Sequence, residues 1–217
     1  MPSLVELSIQ VNHLEHLAPV TQTATISFRL ARLDLHPVFR GWPRLIAQSA
    51  GTLRELTLHG AQVTPLEYGT FLTSDESQAY SASLRSVTHL RLWNCFDPAI
   101  VRACPTLRTL DLNCYQHPPR PGSHLSGPIT CLDVAPRTLQ HLVLAMEPWH
   151  ADLKLMSVFD LLASRPGVVA CLRSVTVQRS REWLPRFQDI LVDDEGRKAR
   201  DVLQTFCREH RILLSLH

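Results

Sequence analysis

The chain predicts an α/β fold of the solenoid kind: a curved parallel sheet whose strands are joined by helical or irregular returns. Three observations carry that expectation. An apolar triplet at relative positions 1, 4 and 6 recurs along the 217 residues, and leucine, with 35 occurrences, supplies most of it. Successive triplets begin 20 to 34 residues apart, room enough for the crossover that a parallel neighbour needs. Helix-start signals sit inside those intervals.

The triplets are Leu4-Leu7-Ile9, Leu30-Leu33-Leu35, Leu53-Leu56-Leu58, Val87-Leu90-Leu92, Leu107-Leu110-Leu112, Leu139-Leu142-Leu144 and Leu172-Val175-Val177. Alternation at positions 4 and 6 is what a strand with one buried face requires, because successive side chains point to opposite sides. Between them, Trp42-Pro43 leads into Leu45, Ile46 and Ala50, with Gly51 as a stop. Thr64-Pro65-Leu66-Glu67 combines an N-cap, a proline at the first helical position and a capping-box glutamate. Asp97-Pro98 opens a second helix in the same way. Asp152 precedes Leu153, Leu155, Val158, Leu161 and Leu162, a helix stopped by Pro166-Gly167. Ala199, Val202, Leu203, Phe206 and Cys207 share one helix face, and Ile212 to Leu216 reads as a last strand. One segment fits awkwardly. Ile129-Leu132-Val134 matches the strand template but starts only 10 residues before Leu139, too close for a helical crossover.

Leu-x-x-Leu-x-Leu strands at this period are the signature of the leucine-rich repeat. The run from Val87 through Cys95, Cys104 and Pro105 to Leu112 resembles the cysteine-containing repeats of F-box proteins. The stretch from Ile46 to Leu58 is similar to repeats of fungal F-box-like proteins. The resemblance implies one leucine-rich-repeat domain over residues 1–217, closed by a capping helix and strand at about 195–217. It implies a protein-protein interaction module, the substrate-recognition part of an F-box-type ubiquitin-ligase adaptor. The first triplet begins at Leu4, so the F-box itself is expected to lie outside this chain. The chain would then be a fragment, or would lean on a partner at its first strand. A stand-alone or truncated scaffold without a ligase role is the alternative, and a thiol enzyme the remote one.

In such a repeat, positions 3, 5 and 7 face the concave side. The array runs Glu6, Ser8, Gln10; Arg32, Asp34, His36; Glu55, Thr57, His59; His89, Arg91, Trp93; Thr109, Asp111, Asn113; His141, Val143, Ala145; Ser174, Thr176, Gln178. Its centre is the candidate binding surface: His59, His89, Arg91, Trp93, Asp111, Asn113 and His141. Tryptophan and arginine at outward positions have the composition of an interaction hot spot.

Other chemistries find less support. Hydrophobic residues at 45% and charged ones at 19% argue against disorder. A net charge of +2 is too small to imply nucleic acid or an anionic membrane. Arg165, Arg173, Arg179, Arg181 and Arg186 around Trp183 form a basic stretch, but Asp193, Asp194 and Glu195 answer it. No apolar run reaches the ~20 residues of a membrane span. Six cysteines at irregular spacing suit free thiols in a reducing cytoplasmic or nuclear setting. Cys104, Cys114, His117 and His124 lack the paired spacing of a zinc site, and His13 with His16 supplies only two ligands. Cys207 and His210 are one helical turn apart, but Cys207 falls on an apolar stripe. No glycine-rich phosphate loop is present. No cofactor is expected.

Overall fold

The computed structural model describes residues 5–10, 29–38, 42–60, 80–113, 128–146, 155–179 and 194–216. Within them the triplets become strands: β1 (Glu6–Gln10), β2 (Arg32–His36), β3 (Glu55–His59), β4 (His89–Trp93), β5 (Thr109–Asn113), β6 (His141–Met146) and β7 (Ser174–Arg179). The segment after Ile212 adds β8 (Leu213–Leu216). They form one eight-stranded sheet in chain order, every neighbouring pair parallel. The architecture is α/β, with the short helices of the returns sharing the core with one face of the sheet.

The register explains why the triplets are apolar. Leu33, Leu56, Leu90, Leu110, Leu142 and Val175 lie side by side, as do Leu35, Leu58, Leu92, Leu112, Leu144 and Val177. From β2 to β7 both rows are buried, none of their members above 8% exposed. At the ends, Leu7 and Ile9 of β1 and Leu214 and Leu216 of β8 are only half-buried against the core. Position-1 residues Leu30, Leu53, Val87, Leu107, Leu139 and Leu172 complete the floor.

The returns are less regular than the strands. Helix α1 (Ser81–Leu84) is a single turn, and α2 (Pro98–Arg102) starts as the sequence predicts. Asp97 Oδ1 accepts the Ala99 N–H at 2.8 Å, and Pro98 fills the first position, where a missing N–H costs nothing. The Trp42–Ile46 segment is a 3-10 turn rather than an α-helix, continued by a Ser49 N–H to Ile46 C=O bond of 2.8 Å. Ser49 Oγ is committed to the Leu30 N–H at 2.9 Å, which ties this return to the start of β2.

Ile129-Leu132-Val134 is helical, not a strand. It lies on α3 (Pro128–Asp133) and its end, with Cys131 and Leu132 buried. Pro128 opens α3 at the first helical position, where its missing N–H costs nothing. Helix α4 spans Leu155–Ala163, and Pro166-Gly167 opens a further turn, α5 (Pro166–Val169), instead of only ending a helix. The capping helix α6 (Asp194–Glu209) buries Ala199, Leu203 and Cys207, while Val202 points outward at 37% exposure. Phe206 of α6 meets Phe159 of α4 edge-on, with ring centres 5.4 Å apart. The Thr64-Pro65 signal and Asp152-Leu153 lie outside the described residues, as does Leu4. No helix among the described residues is long and apolar enough to cross a membrane.

A threonine device joins successive units. Thr52, Thr106 and Thr138 each precede a position-1 leucine and donate their hydroxyl to a backbone carbonyl of the preceding unit. Thr52 Oγ1 reaches Leu30 O at 2.9 Å, and Thr138 Oγ1 reaches Leu107 O at 2.8 Å and Pro105 O at 3.0 Å. Thr106 Oγ1 bonds Arg85 O and Val87 O. Thr138→Val keeps the shape and deletes the donor, so it is expected to cost about 1 kcal/mol in a urea titration. An unchanged midpoint would show that the hydroxyl holds nothing.

Candidate functional site

The sheet face turned away from the core is built from strand positions 3, 5 and 7, which the parallel register stacks into three columns. The first runs Glu6, Arg32, Glu55, His89, Thr109, His141, Ser174. Arg32 Nε lies 2.7 Å from Glu55 Oε2, and its NH1 lies 3.6 Å from Glu6 Oε1. The hydrogen bond and charge of Glu55, with Glu6 adding, raise the Arg32 pKa. These groups stay in water, so the pairs set charge pattern more than stability.

In the second column Arg91 Nε donates to Asp111 Oδ2 at 2.7 Å. Asp111 Oδ1 is buried without a hydrogen bond. Burial pushes the Asp111 carboxyl above its ordinary range, and Arg91 opposes that shift.

The third column is a row of rings. His36 packs edge-on against His59 with centres 4.7 Å apart, and His59 tilts against Trp93 at 4.5 Å. The backbone beside them allows this close approach only because residue 60 is glycine. A Cβ on Gly60 would stand 2.1 Å from the Asn94 carbonyl oxygen. The Gly60 N–H donates to Trp93 C=O at 2.6 Å, and Asn94, at φ 52°, donates its N–H to Asn113 C=O at 2.9 Å. His59 Nε2 lies 3.3 Å from Asp34 Oδ1, close enough for an ion pair when the ring is protonated but too poorly aligned for a hydrogen bond.

The seven residues expected at the centre of this face therefore divide. His59 with Trp93, and Arg91 with Asp111, are brought into contact. His89 is exposed, its Nδ1 3.0 Å from Thr88 Oγ1, and His141 is half-buried with Nδ1 2.9 Å from Ser174 Oγ. Asn113 is buried at 6% exposure, not displayed, and its neighbour in the column, Ala145, is buried at 2%. Trp93 is half-buried. Asp34 and His36, outside that central set, belong to it by contact.

Burial lowers the His59 pKa below 6.5; His36 and Arg91 act in the same direction and Asp34 against it. The folded protein resists a proton that the unfolded chain accepts near 6.5, so stability is present above that pH and lost as pH falls through it toward the folded value. Asp111 acts in the opposite sense nearer the carboxylate range, which leaves the interval from about pH 7.5 to 5.5 to His59. The melting temperature should drop over that interval, and His59→Gln should drop less. Parallel slopes for the two proteins would refute the assignment.

Four of the five described thiols are packing groups. Cys95, Cys104, Cys131 and Cys207 are buried, and Cys171 is exposed. Burial pushes Cys104 and Cys131 up to about 12 and Cys207 to about 11. Burial, with the nearby Asp97 charge, holds Cys95 well above its ordinary value. A thiol so held is protonated at neutral pH and a poor nucleophile. His210 packs its ring on Phe206 with centres 4.5 Å apart. Among the described residues no group of three or more His, Cys, Asp or Glu is placed to hold a metal ion. Cys114, His117 and His124, with His13 and His16, lie outside the described residues, and so do Arg181, Trp183 and Arg186 of the basic stretch.

No family model, curated protein or solved structure matches the chain.

Proposed function

We propose that the chain is a leucine-rich-repeat solenoid acting as a protein-binding module, with the open face of its sheet as the docking surface. The observation that supports this reading most is the ring row His36–His59–Trp93 beside the Arg91–Asp111 pair. A stacked indole, two imidazoles and a guanidinium on short, rigid strands offer large contact area with little conformational freedom left to lose on binding. The repeat resemblance extends the proposal: the partner is a target brought to a cullin–RING ubiquitin ligase through an F-box carried elsewhere.

The test is affinity purification with cross-linking, repeated with Arg91→Ala and Trp93→Ala. Each replacement is expected to weaken partner binding about thirtyfold or more, the scale of a hot-spot residue. If Trp93→Ala costs stability while binding survives both changes, the face is not the docking surface. Pull-down of the ligase adaptor by the full-length gene product, but not by this chain, supports the ligase extension; failure of both removes it.

A further inference from the structure

The open face is not uniform along the sheet. Its exposed side chains gather on the first four strands: Glu6, Ser8, Gln10, Arg32, His36, His89 and Arg91. On β5 and β6 every residue pointing this way is half-buried or buried, and on β7 only Gln178 is exposed. The third column shows the gradient directly, running from exposed His36 through His59, at 14% side-chain exposure, and half-buried Trp93 to buried Asn113 and Ala145. Whatever docks from solvent meets β1 to β4 first.

That accessible half also carries the charge. Glu6 and Glu55 flank one guanidinium, Arg32, Asp34 lies against His59, and Arg91 and Asp111 neutralise each other. Four carboxylates against two guanidiniums leave these strands and their β5 neighbour net negative on a chain whose total is +2. The wider sequence agrees. Residues 1–84 hold seven acidic and five basic residues, the remainder 13 and 17. The segments 11–28 and 61–79, which follow β1 and β3, contain Glu15, Glu67, Asp75 and Glu76 and no lysine or arginine. A nucleic acid would be repelled from such a face. A cationic chain would be drawn to it.

We infer that the open face of β1 to β4 takes a basic protein segment, whose lysine or arginine side chains pair with Glu6, Asp34 and Glu55 and stack beside the His36–His59–Trp93 rings. This rests on the protein-docking reading above and names the chemistry of its partner. Each element has a task. The carboxylates supply attraction and orientation, and the ring row supplies the flat, polarisable surface on which a guanidinium or an alkyl-ammonium stem packs. Strands about 4.8 Å apart put Glu6 and Glu55, two strands apart in one column, about 10 Å from one another, a separation that long lysine or arginine side chains on an extended segment crossing the strands can reach.

The probe is a displayed library of random peptides about 15 residues long, a length that crosses four strands with margin, panned on the whole chain. Three proteins are compared: the parent, the triple replacement Glu6→Gln, Asp34→Asn and Glu55→Gln, and Trp93→Ala, each checked for folding by thermal melts. Selected peptides are expected to be enriched in lysine and arginine over the starting library. They should bind the triple replacement about tenfold more weakly and lose about tenfold between about 50 and 500 mM salt. Peptides that need Trp93 but show neither basic enrichment nor dependence on the three carboxylates would overturn this inference and leave the docking face standing. Peptides indifferent to every replacement, or an empty selection, would overturn both. Binding of a fluorescent oligothymidine, or a dimer abolished by the triple replacement, would overturn it in favour of a nucleic acid or a second copy.

Discussion

Leu110→Ala is expected to remove about 2 to 5 kcal/mol of stability in a urea titration, enough to leave a marginal domain substantially unfolded at body temperature. Leu110 is fully buried in the middle of the sheet, with Leu90 on one side of its row and Leu142 on the other. Each flanking residue is fixed by its own strand pairing, so the space left by three lost carbons cannot close. The same truncation at Leu214 of β8 should cost less than half as much, because that side chain is already partly in water. Equal losses at the two positions would mean that burial along the row does not set the stability of the sheet.

Arg165→Ala should be the costliest change among the charged residues described, about 2 to 4 kcal/mol. Its guanidinium closes the end of α3: NH1 donates to Leu132 O at 2.6 Å and Asp133 O at 2.5 Å, and NH2 donates to Ala135 O at 3.0 Å. The last carbonyls of a helix have no partner within it. Here a side chain from the next return reaches two of them, Asp133 O and Leu132 O, together with Ala135 O just beyond the helix. Leu132 O also accepts the Ala135 N–H at 3.1 Å. Removal takes the guanidinium from the carbonyls of Asp133 and Ala135 and leaves Leu132 O with the Ala135 N–H alone. Arg165→Lys keeps the charge but cannot span three acceptors from one nitrogen, and should restore less than half of the loss. Full rescue by lysine would show that charge near the helix end, not the fork of donors, is what counts.

How much of this was readable in advance differs by level. All seven leucine-type triplets specify strands, because alternation over six residues is a local property that the sheet only has to accept. Ile129-Leu132-Val134 breaks the rule for a physical reason. Ile129 and Leu132, at i and i+3, also share one side of a helix, Val134 falls beyond its end, and Pro128 with the short distance to Leu139 decides between the two. The threonine device was present as three Thr-Leu pairs, yet its meaning depends on carbonyls 19 to 33 residues away.

At the candidate site, pointing direction was legible and depth was not. Asn113 does lie in the outward column, but it is buried. Period-2 logic assigns a side and says nothing about what covers it. The His59–Asp34 and His36–His59 contacts needed the register between β2 and β3, which no single triplet encodes.

Because each strand hydrogen-bonds only to its neighbours in the chain, tension applied between the two ends of the sheet passes through the strand pairings in series, and no pairing shares its load with another. The outermost strand, whose leucines are the least buried, is the weakest link and lets go alone, and the next becomes the new end. The molecule would yield by unzipping in small steps at modest force, as a ribbon peels, where a sheet with its first and last strands paired side by side at the centre would resist until it ruptured.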